Sequence, residues 1–110
     1  MYQNIHGELT RAPINISTLG DNTIISAPTT GELFIHELVV NPSAAMTVTM
    51  KCGARTVATF TLSGGQPITL SDITGMPGEP RFKCFQGEAF IINLSAAGSL
   101  TGTIAYSYKT

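Results

Sequence analysis

Charged side chains are scarce in this 110-residue chain. Asp, Glu, Lys and Arg make up 12% of it, about half their share in an average globular protein, and the formal net charge is −1. Nucleic-acid binding needs concentrated positive charge, so the composition argues against a nucleic-acid partner. Ser, Thr and Asn supply most of the polar side chains instead. Such a surface suits burial against other copies of the chain, because the cores of protein interfaces are depleted in charge.

Long apolar runs are also missing. Hydrophobic residues make up 43% of the chain, which is enough to build one folded core. No run approaches the ~20 residues that a membrane-spanning helix requires. The start of the chain, Met1-Tyr2-Gln3-Asn4, has no signal-peptide pattern. We therefore expect neither membrane association nor a secretory route.

Cysteine is represented only by Cys52 and Cys84. They lie far apart in the chain and lack the paired spacing of a zinc site. Each one falls in an alternating apolar pattern, and nothing in the sequence indicates an oxidising compartment. The expectation is two free thiols buried in the core.

Sequence motifs that would indicate catalysis are also scarce. The chain has neither the Gly-x-Ser-x-Gly elbow of hydrolases nor a phosphate-binding Gly-x-x-x-x-Gly-Lys loop. Residues 62–66, Leu-Ser-Gly-Gly-Gln, match the signature pentapeptide of ATP-binding-cassette ATPases. However, Pro67 and a strand-like run follow them where those ATPases begin a helix, so we predict a hairpin turn.

The titratable residues do not form a recognisable catalytic or metal-binding set. His36 lies in the middle of a predicted strand, where pairing with Glu37 or a neighbouring strand is the favoured interpretation. His6 and Glu8 supply too few ligands for a metal site without help from another subunit. The acids in or near the longest irregular stretch are assigned to turn capping or to solvent exposure; they are Asp72, Glu79 and Glu88. We expect no enzymatic activity, no cofactor and no metal.

Alternation of apolar and polar residues is the main structural signal. Met46, Val48, Met50 and Cys52 alternate with polar residues, and a similar pattern runs over 100–108. A period of two is typical of half-buried strands. Turn residues recur about every 8–12 residues, which predicts eight or nine short antiparallel strands in a single-domain, all-β sandwich or barrel. Spacing alone leaves jelly-roll and immunoglobulin-like topologies open. We place an N-terminal arm at 1–13 and the β-sandwich domain at 14–110.

Two runs near the C-terminus carry a family resemblance. They are Gly87-Glu88-Ala89-Phe90-Ile91-Ile92-Asn93-Leu94-Ser95 and Thr101-Gly102-Thr103-Ile104-Ala105-Tyr106. With the strand-like runs before them, they resemble the small β-sandwich structural proteins of tailed bacteriophages. The resemblance implies a jelly-roll-like capsid decoration (cement) protein, made in the host bacterial cytoplasm and seated on the capsid surface of the virion. Its implied partners are itself, as a homotrimer, and the major capsid protein.

Similar small domains also occur in phage fibres and other virion appendages. The alternative function is therefore a receptor-binding or carbohydrate-binding module of a tail fibre or baseplate. In that case the exposed aromatics Phe85 and Tyr108 would be its stacking platforms.

The candidate contact residues lie in the arm and on one predicted strand. Tyr2, Ile5 and Leu9 are the apolar anchors of the arm. Phe82 and Phe85 are predicted to point to opposite faces, so that one of the two is exposed. We take Phe85 as the candidate contact with the capsid or a neighbouring subunit.

Overall fold

The protein is all-β in the computed structural model, which describes residues 9–71 and 80–109. Nine strands lie within these ranges, in two antiparallel sheets. The strands are β1 (Thr10–Ile16), β2 (Gly20–Ile25), β3 (Glu32–Pro42), β4 (Met46–Cys52), β5 (Arg55–Leu62), β6 (Ile68–Leu70), β7 (Phe82–Cys84), β8 (Phe90–Leu94) and β9 (Leu100–Lys109). Sheet I has the order β1-β9-β3, with β6 and β7 both on the far side of β3, and sheet II has the order β2-β8-β4-β5.

The order of the strands is that of a jelly roll. β6 pairs with Leu38–Val40 of β3, and β7 pairs with Leu33–Ile35 of the same strand. The two short strands therefore share one position beside β3. Counting them as one gives eight positions, in the jelly-roll orders 1-8-3-6 and 2-7-4-5. This confirms the predicted jelly-roll-like β-sandwich and excludes the immunoglobulin-like alternative.

The core lies between the two sheets, and β4 shows how the sequence builds it. Met46, Val48, Met50 and Cys52 are buried, whereas the residues between them are half-exposed. The predicted alternation is thus confirmed. Phe90 of β8 is 0% exposed and stacks on Phe82 of β7, with 6.1 Å between ring centroids. Burying one large apolar side chain in this way contributes roughly 1.5–3 kcal/mol.

A disulfide joins the two sheets. Cys52 and Cys84 are bonded through their Sγ atoms, and both residues are 0% exposed. The expectation of free thiols is therefore wrong. Cys52 ends β4 in sheet II and Cys84 ends β7 in sheet I, so the cysteines meet because the sheets stack face to face. Spacing along the chain does not reveal which strands face each other.

The sandwich begins earlier than the sequence predicts. β1 starts at Thr10, and Thr10–Pro13 already pair with β9. Pro13 is accommodated because β1 is an edge strand, where a missing N–H group does not interrupt a ladder on both sides. Residues 10–13 therefore belong to the sandwich and not to an arm. The remainder of the predicted arm, residues 1–8, lies outside the described residues.

The segment that matches the ATPase pentapeptide is a turn. The N–H of Gln66 donates to the carbonyl of Ser63 at 3.1 Å, and the N–H of Gly65 donates to the carbonyl of Pro42 at 2.8 Å. The turn leads from β5 in sheet II to β6 in sheet I, so it is not the hairpin that the sequence predicts.

Candidate interaction surface at the aromatic end

Two exposed aromatic residues lie at the same end of the sandwich. Leu33, near the start of β3, pairs with Cys84 on one side and with Tyr108 on the other. Phe85 directly follows Cys84, so it emerges at the end where Tyr108 lies. Phe85 is 50% exposed and Tyr108 is 42% exposed. We call this region, formed by Phe85, Tyr108 and the loop of residues 27–30, the aromatic end.

The turn that carries Phe85 is held from several sides. The N–H of Phe85 donates to Oε1 of Glu88 at 2.8 Å, and the N–H of Glu88 donates to the carbonyl of Phe85 at 2.9 Å. The N–H of Gly87, which has a φ of 84°, donates to the carbonyl of Pro28 at 3.0 Å. On the other side, the disulfide fixes Cys84. The Phe85 ring therefore projects from a rigid support.

Arg55, the first residue of β5, completes that support. Its Nη2 donates to Oε1 of Glu88 at 2.8 Å and to the carbonyl of Lys83 at 3.0 Å. Its Nε donates to Oε2 of Glu88 at 3.3 Å, so the ion pair is two-pronged. The guanidinium carbon also lies 4.8 Å from the centroid of the Phe85 ring, which is a cation–π distance. Arg55 thereby connects sheet II to the Phe85 turn.

The ion pair changes how Glu88 titrates. The hydrogen bonds from Arg55, and after them the backbone N–H of Phe85, lower the pKa of Glu88 below its usual value. The sequence predicts a solvent-exposed acid at Glu88. It is instead half-buried, because its carboxylate is the acceptor around which the turn closes. Sequence spacing carries no sign of this pair, since Arg55 begins β5 and Glu88 lies in the turn before β8, 33 residues further along the chain.

A shallow cleft opens between β5 and β7 beside Phe85. It has a volume of about 350 Å³, and its lining includes Arg55, Val57, Arg81, Phe82 and Phe85. Phe82 contacts the core and Phe85 faces out, as the sequence predicts. Arg81 is exposed, and it has no ion pair with any carboxylate of residues 9–71 or 80–109.

A second cleft lies on the Tyr108 side of the aromatic end. It has a volume of about 290 Å³ and is lined by residues 27–30 and Tyr108. The Tyr108 hydroxyl donates to the carbonyl of Ser26 at 3.2 Å. Gln86 Nε2 donates to the carbonyl of Thr29 at 2.8 Å, so the loop is tied to the Phe85 turn as well. The loop therefore bridges the two exposed aromatics.

Of the three predicted apolar anchors of the arm, the structure describes only Leu9. Leu9 is 41% exposed and directly precedes β1, where Thr10 pairs with Tyr106. This register places Leu9 at the aromatic end, together with Phe85. Tyr2 and Ile5 lie outside the described residues.

His36 is a strand-face residue, as predicted. Its Nε2 lies 2.9 Å from Oγ of Ser107 on the neighbouring strand β9, and both residues are buried. The other acids and the second histidine considered above, which are His6, Glu8, Asp72 and Glu79, lie outside the described ranges. In those ranges no group of three His, Cys, Asp or Glu residues could hold a metal ion.

A polar staple crosses the outer face of sheet II, and sequence analysis missed it. Asp21 of β2 accepts a hydrogen bond from Asn93 Nδ2 at 2.8 Å, and both of its carboxylate oxygens lie 3.1 Å from Lys51 Nζ. These three residues belong to β2, β8 and β4. The hydrogen bond from Asn93 first, and then that from Lys51, lower the pKa of Asp21.

Acid should weaken the domain through these two carboxylates. Asp21 and Glu88 both have a lowered pKa in the folded state. Their contribution is therefore fully present above the unfolded values, near 4, and is lost as the pH falls through the folded values. We expect the melting temperature to drop as the pH falls below about 4, and to drop less in the double variant Asp21→Asn/Glu88→Gln. Thermal melts of the native chain and the double variant measure this effect. If acid lowers both melting temperatures equally, the two carboxylates are not the origin of the acid sensitivity.

Comparison with known proteins adds no relative. No protein-family model matches this chain. A search of curated proteins likewise gives no match. In the part of the chain that the structure describes, there is no helix long and apolar enough to cross a bilayer.

Proposed function

We propose that this protein is a non-enzymatic structural protein of a tailed-bacteriophage virion. In this proposal it is a trimeric capsid decoration protein, which stabilises the head by binding across capsomers of the major capsid protein. Each copy would add buried area across a boundary, so that internal pressure has more contacts to break. Its activity is thus binding free energy summed over many copies.

The observation that carries the proposal is the exposed Phe85 ring on a rigid support. Phe85 is 50% exposed in the isolated chain. Covering the exposed half of its ring with a partner would add a favourable free energy of burial that the isolated chain lacks. The turn below it is nevertheless fixed by the Glu88 carboxylate, Arg55 and the disulfide. A rigid, exposed aromatic beside arginine is typical of the residues that dominate protein interfaces. Jelly rolls also serve as capsid domains, which agrees with the resemblance in β8 and β9.

The mass of the protein in solution and its binding to shells test this proposal together. We expect a trimer at micromolar concentration by light scattering. We also expect cosedimentation, at a fixed ratio, with shells assembled from the major capsid protein of the same phage. The variant Phe85→Ala should bind these shells more weakly, and Val39→Ala, at an exposed apolar residue of β3, is the matched control. A monomer that does not cosediment would contradict the proposal.

A second candidate function has one specific observation in its favour. Phe85 and Tyr108 are both exposed at one end, and each borders a cleft. Lectin domains also use jelly rolls, and exposed rings stack on sugars, so a receptor-binding or carbohydrate-binding module of a fibre or baseplate fits this end. A glycan array distinguishes the two functions. Binding that disappears in both Phe85→Ala and Tyr108→Ala would favour the second, and silence of the array would remove it.

Truncation tests where the sandwich begins. Removal of residues 1–13 should cost roughly 2 kcal/mol more than removal of residues 1–8, because it also removes Thr10–Pro13 and several of their ladder hydrogen bonds to β9. Urea unfolding of the two truncated proteins measures the difference. Equal stabilities would mean that the first part of β1 contributes nothing to the sandwich. Weaker shell binding after removal of 1–8 would assign a contact role to the predicted arm.

A further inference from the structure

We propose that the cleft between β5 and β7 binds a carboxylate-bearing segment of a partner protein, with Phe85 as the apolar anchor and Arg81 as the ion partner. The inference deepens the proposed adhesion function, and it rests on that function only in taking the partner to be a protein.

The charge of the cleft is opposite in sign to that of the chain. The whole chain has six Lys and Arg residues against seven acids. Two of those six, Arg55 and Arg81, line this cleft with their side chains. Glu88, the described acid beside them, is already paired with Arg55. The cleft therefore offers the positive charge of Arg81 on a protein that is otherwise slightly negative, which favours an acidic partner.

The two arginines of the cleft have different roles. Arg55 is engaged with Glu88, the carbonyl of Lys83 and the Phe85 ring, so it positions the turn. Arg81 is exposed, and its guanidinium has no ion pair within residues 9–71 or 80–109. Its backbone is nevertheless fixed, since its N–H donates to the carbonyl of Ile35 at 2.8 Å. A planar guanidinium on a fixed backbone suits two-pronged binding of a carboxylate.

The apolar part of the site is preorganised. Phe85 and Val57 line the cleft, and Phe82 closes it on the side of the core. Because the Phe85 turn is already held by hydrogen bonds and by the disulfide, binding orders little of the protein and loses little entropy. A volume of about 350 Å³ admits one or two side chains. A short segment with an acidic and an apolar residue side by side therefore fits the cleft.

A titration with a synthetic peptide tests the inference without any capsid. The probe is acetyl-Glu-Leu-Glu-Leu-Glu-amide, and the same peptide with Gln in place of Glu is the neutral control. Binding is followed by amide chemical shifts of the folded chain in NMR spectra at 50 mM and 300 mM salt. Oligogalacturonate is titrated in parallel, because it offers carboxylates on a saccharide.

Two charge-reversal variants distinguish binding in the cleft from an effect of the overall charge of the protein. Arg81→Glu should weaken binding of the acidic peptide at least about tenfold, as expected for loss of a charged hydrogen-bonded pair. Arg11→Glu makes the same change of charge on β1, at the other edge of sheet I. Its partner Glu37 and Arg11 itself are both well exposed, so this control should fold and should bind as the native chain does. Phe85→Ala should also weaken binding, because it removes the anchor.

The expected result is a set of saturable shifts centred on Arg55, Arg81 and Phe85 that weaken at high salt and are absent with the Gln peptide. Equal effects of Arg81→Glu and Arg11→Glu would overturn the inference, as would equal binding of the two peptides or no saturable shift in the cleft. Tighter binding of oligogalacturonate than of the peptide would overturn the assignment to a protein partner. These outcomes are independent of shell binding, so failure of the capsid proposal and failure of this inference are distinguishable.

Discussion

Replacing Cys52 and Cys84 by alanine is expected to lower the free energy of unfolding by roughly 3–4 kcal/mol. The disulfide closes a loop with a sequence separation of 32 residues, and it joins the two sheets of the sandwich. Its loss releases chain entropy in the unfolded state. For a domain of this size the change corresponds to a melting temperature lower by about 10–20 °C.

Thermal unfolding with and without reductant measures this effect. Reductant should lower the melting temperature of the native chain toward that of the double variant Cys52→Ala/Cys84→Ala, and should leave the variant unchanged. Thiol titration of the denatured native chain checks the bond itself. Two free thiols without reductant, or equal melting temperatures of native chain and variant, would contradict the prediction.

Replacing Gly102 by alanine is expected to destabilise the domain by roughly 3 kcal/mol or more. Gly102 lies in β9 between Ile14 of β1 and Val40 of β3. A Cβ atom there would overlap the carbonyl oxygen of Val39 and would lie 2.7 Å from its carbonyl carbon. It would also lie 2.9 Å from Cα of Val40. These are main-chain atoms of a paired strand, so only a displacement of β3 or β9 relieves the overlap.

The neighbouring residue provides the control for Gly102. Thr101 is also in β9 but is exposed, so Thr101→Ala should change stability by no more than about 0.5 kcal/mol. Urea unfolding of both variants compares the positions directly. If Gly102→Ala unfolds at the same urea concentration as Thr101→Ala, the close approach of β9 to Val39 is not a constraint on the fold.

The parts of the fold that follow from local pattern are those that sequence analysis predicts correctly. Alternation in β4 requires only that successive side chains of a strand point to opposite faces, and the buried Met46 and Met50 follow it. The inward orientation of Phe82 in β7 follows from the same rule, whereas Phe85 lies in the turn after β7. Local pattern is misleading at the segment Gly20-Asp21-Asn22. Its residue types are typical of a turn, yet it lies in β2, where pairing with β8 overrides local preference.

The parts that depend on which strands meet could not be predicted. Cys52 and Cys84 approach only because the two sheets stack, and Arg55 reaches Glu88 only because β5 and the Phe85 turn lie at one edge. The same holds for the staple between Asp21, Lys51 and Asn93, which lie on separate strands. The sequence therefore predicts the exposed aromatic of the site but not the contacts that hold it.

The central place of β9 in sheet I has a consequence for synthesis of the chain. β9 is the last strand in sequence, yet β1 and β3 both bond to it along most of their length. Neither can complete its pairing until residues 100–109 have been synthesised, roughly 5–20 s after β1 at the usual rate of translation. Sheet I therefore cannot form progressively during synthesis, and its pairing begins only when β9 becomes available.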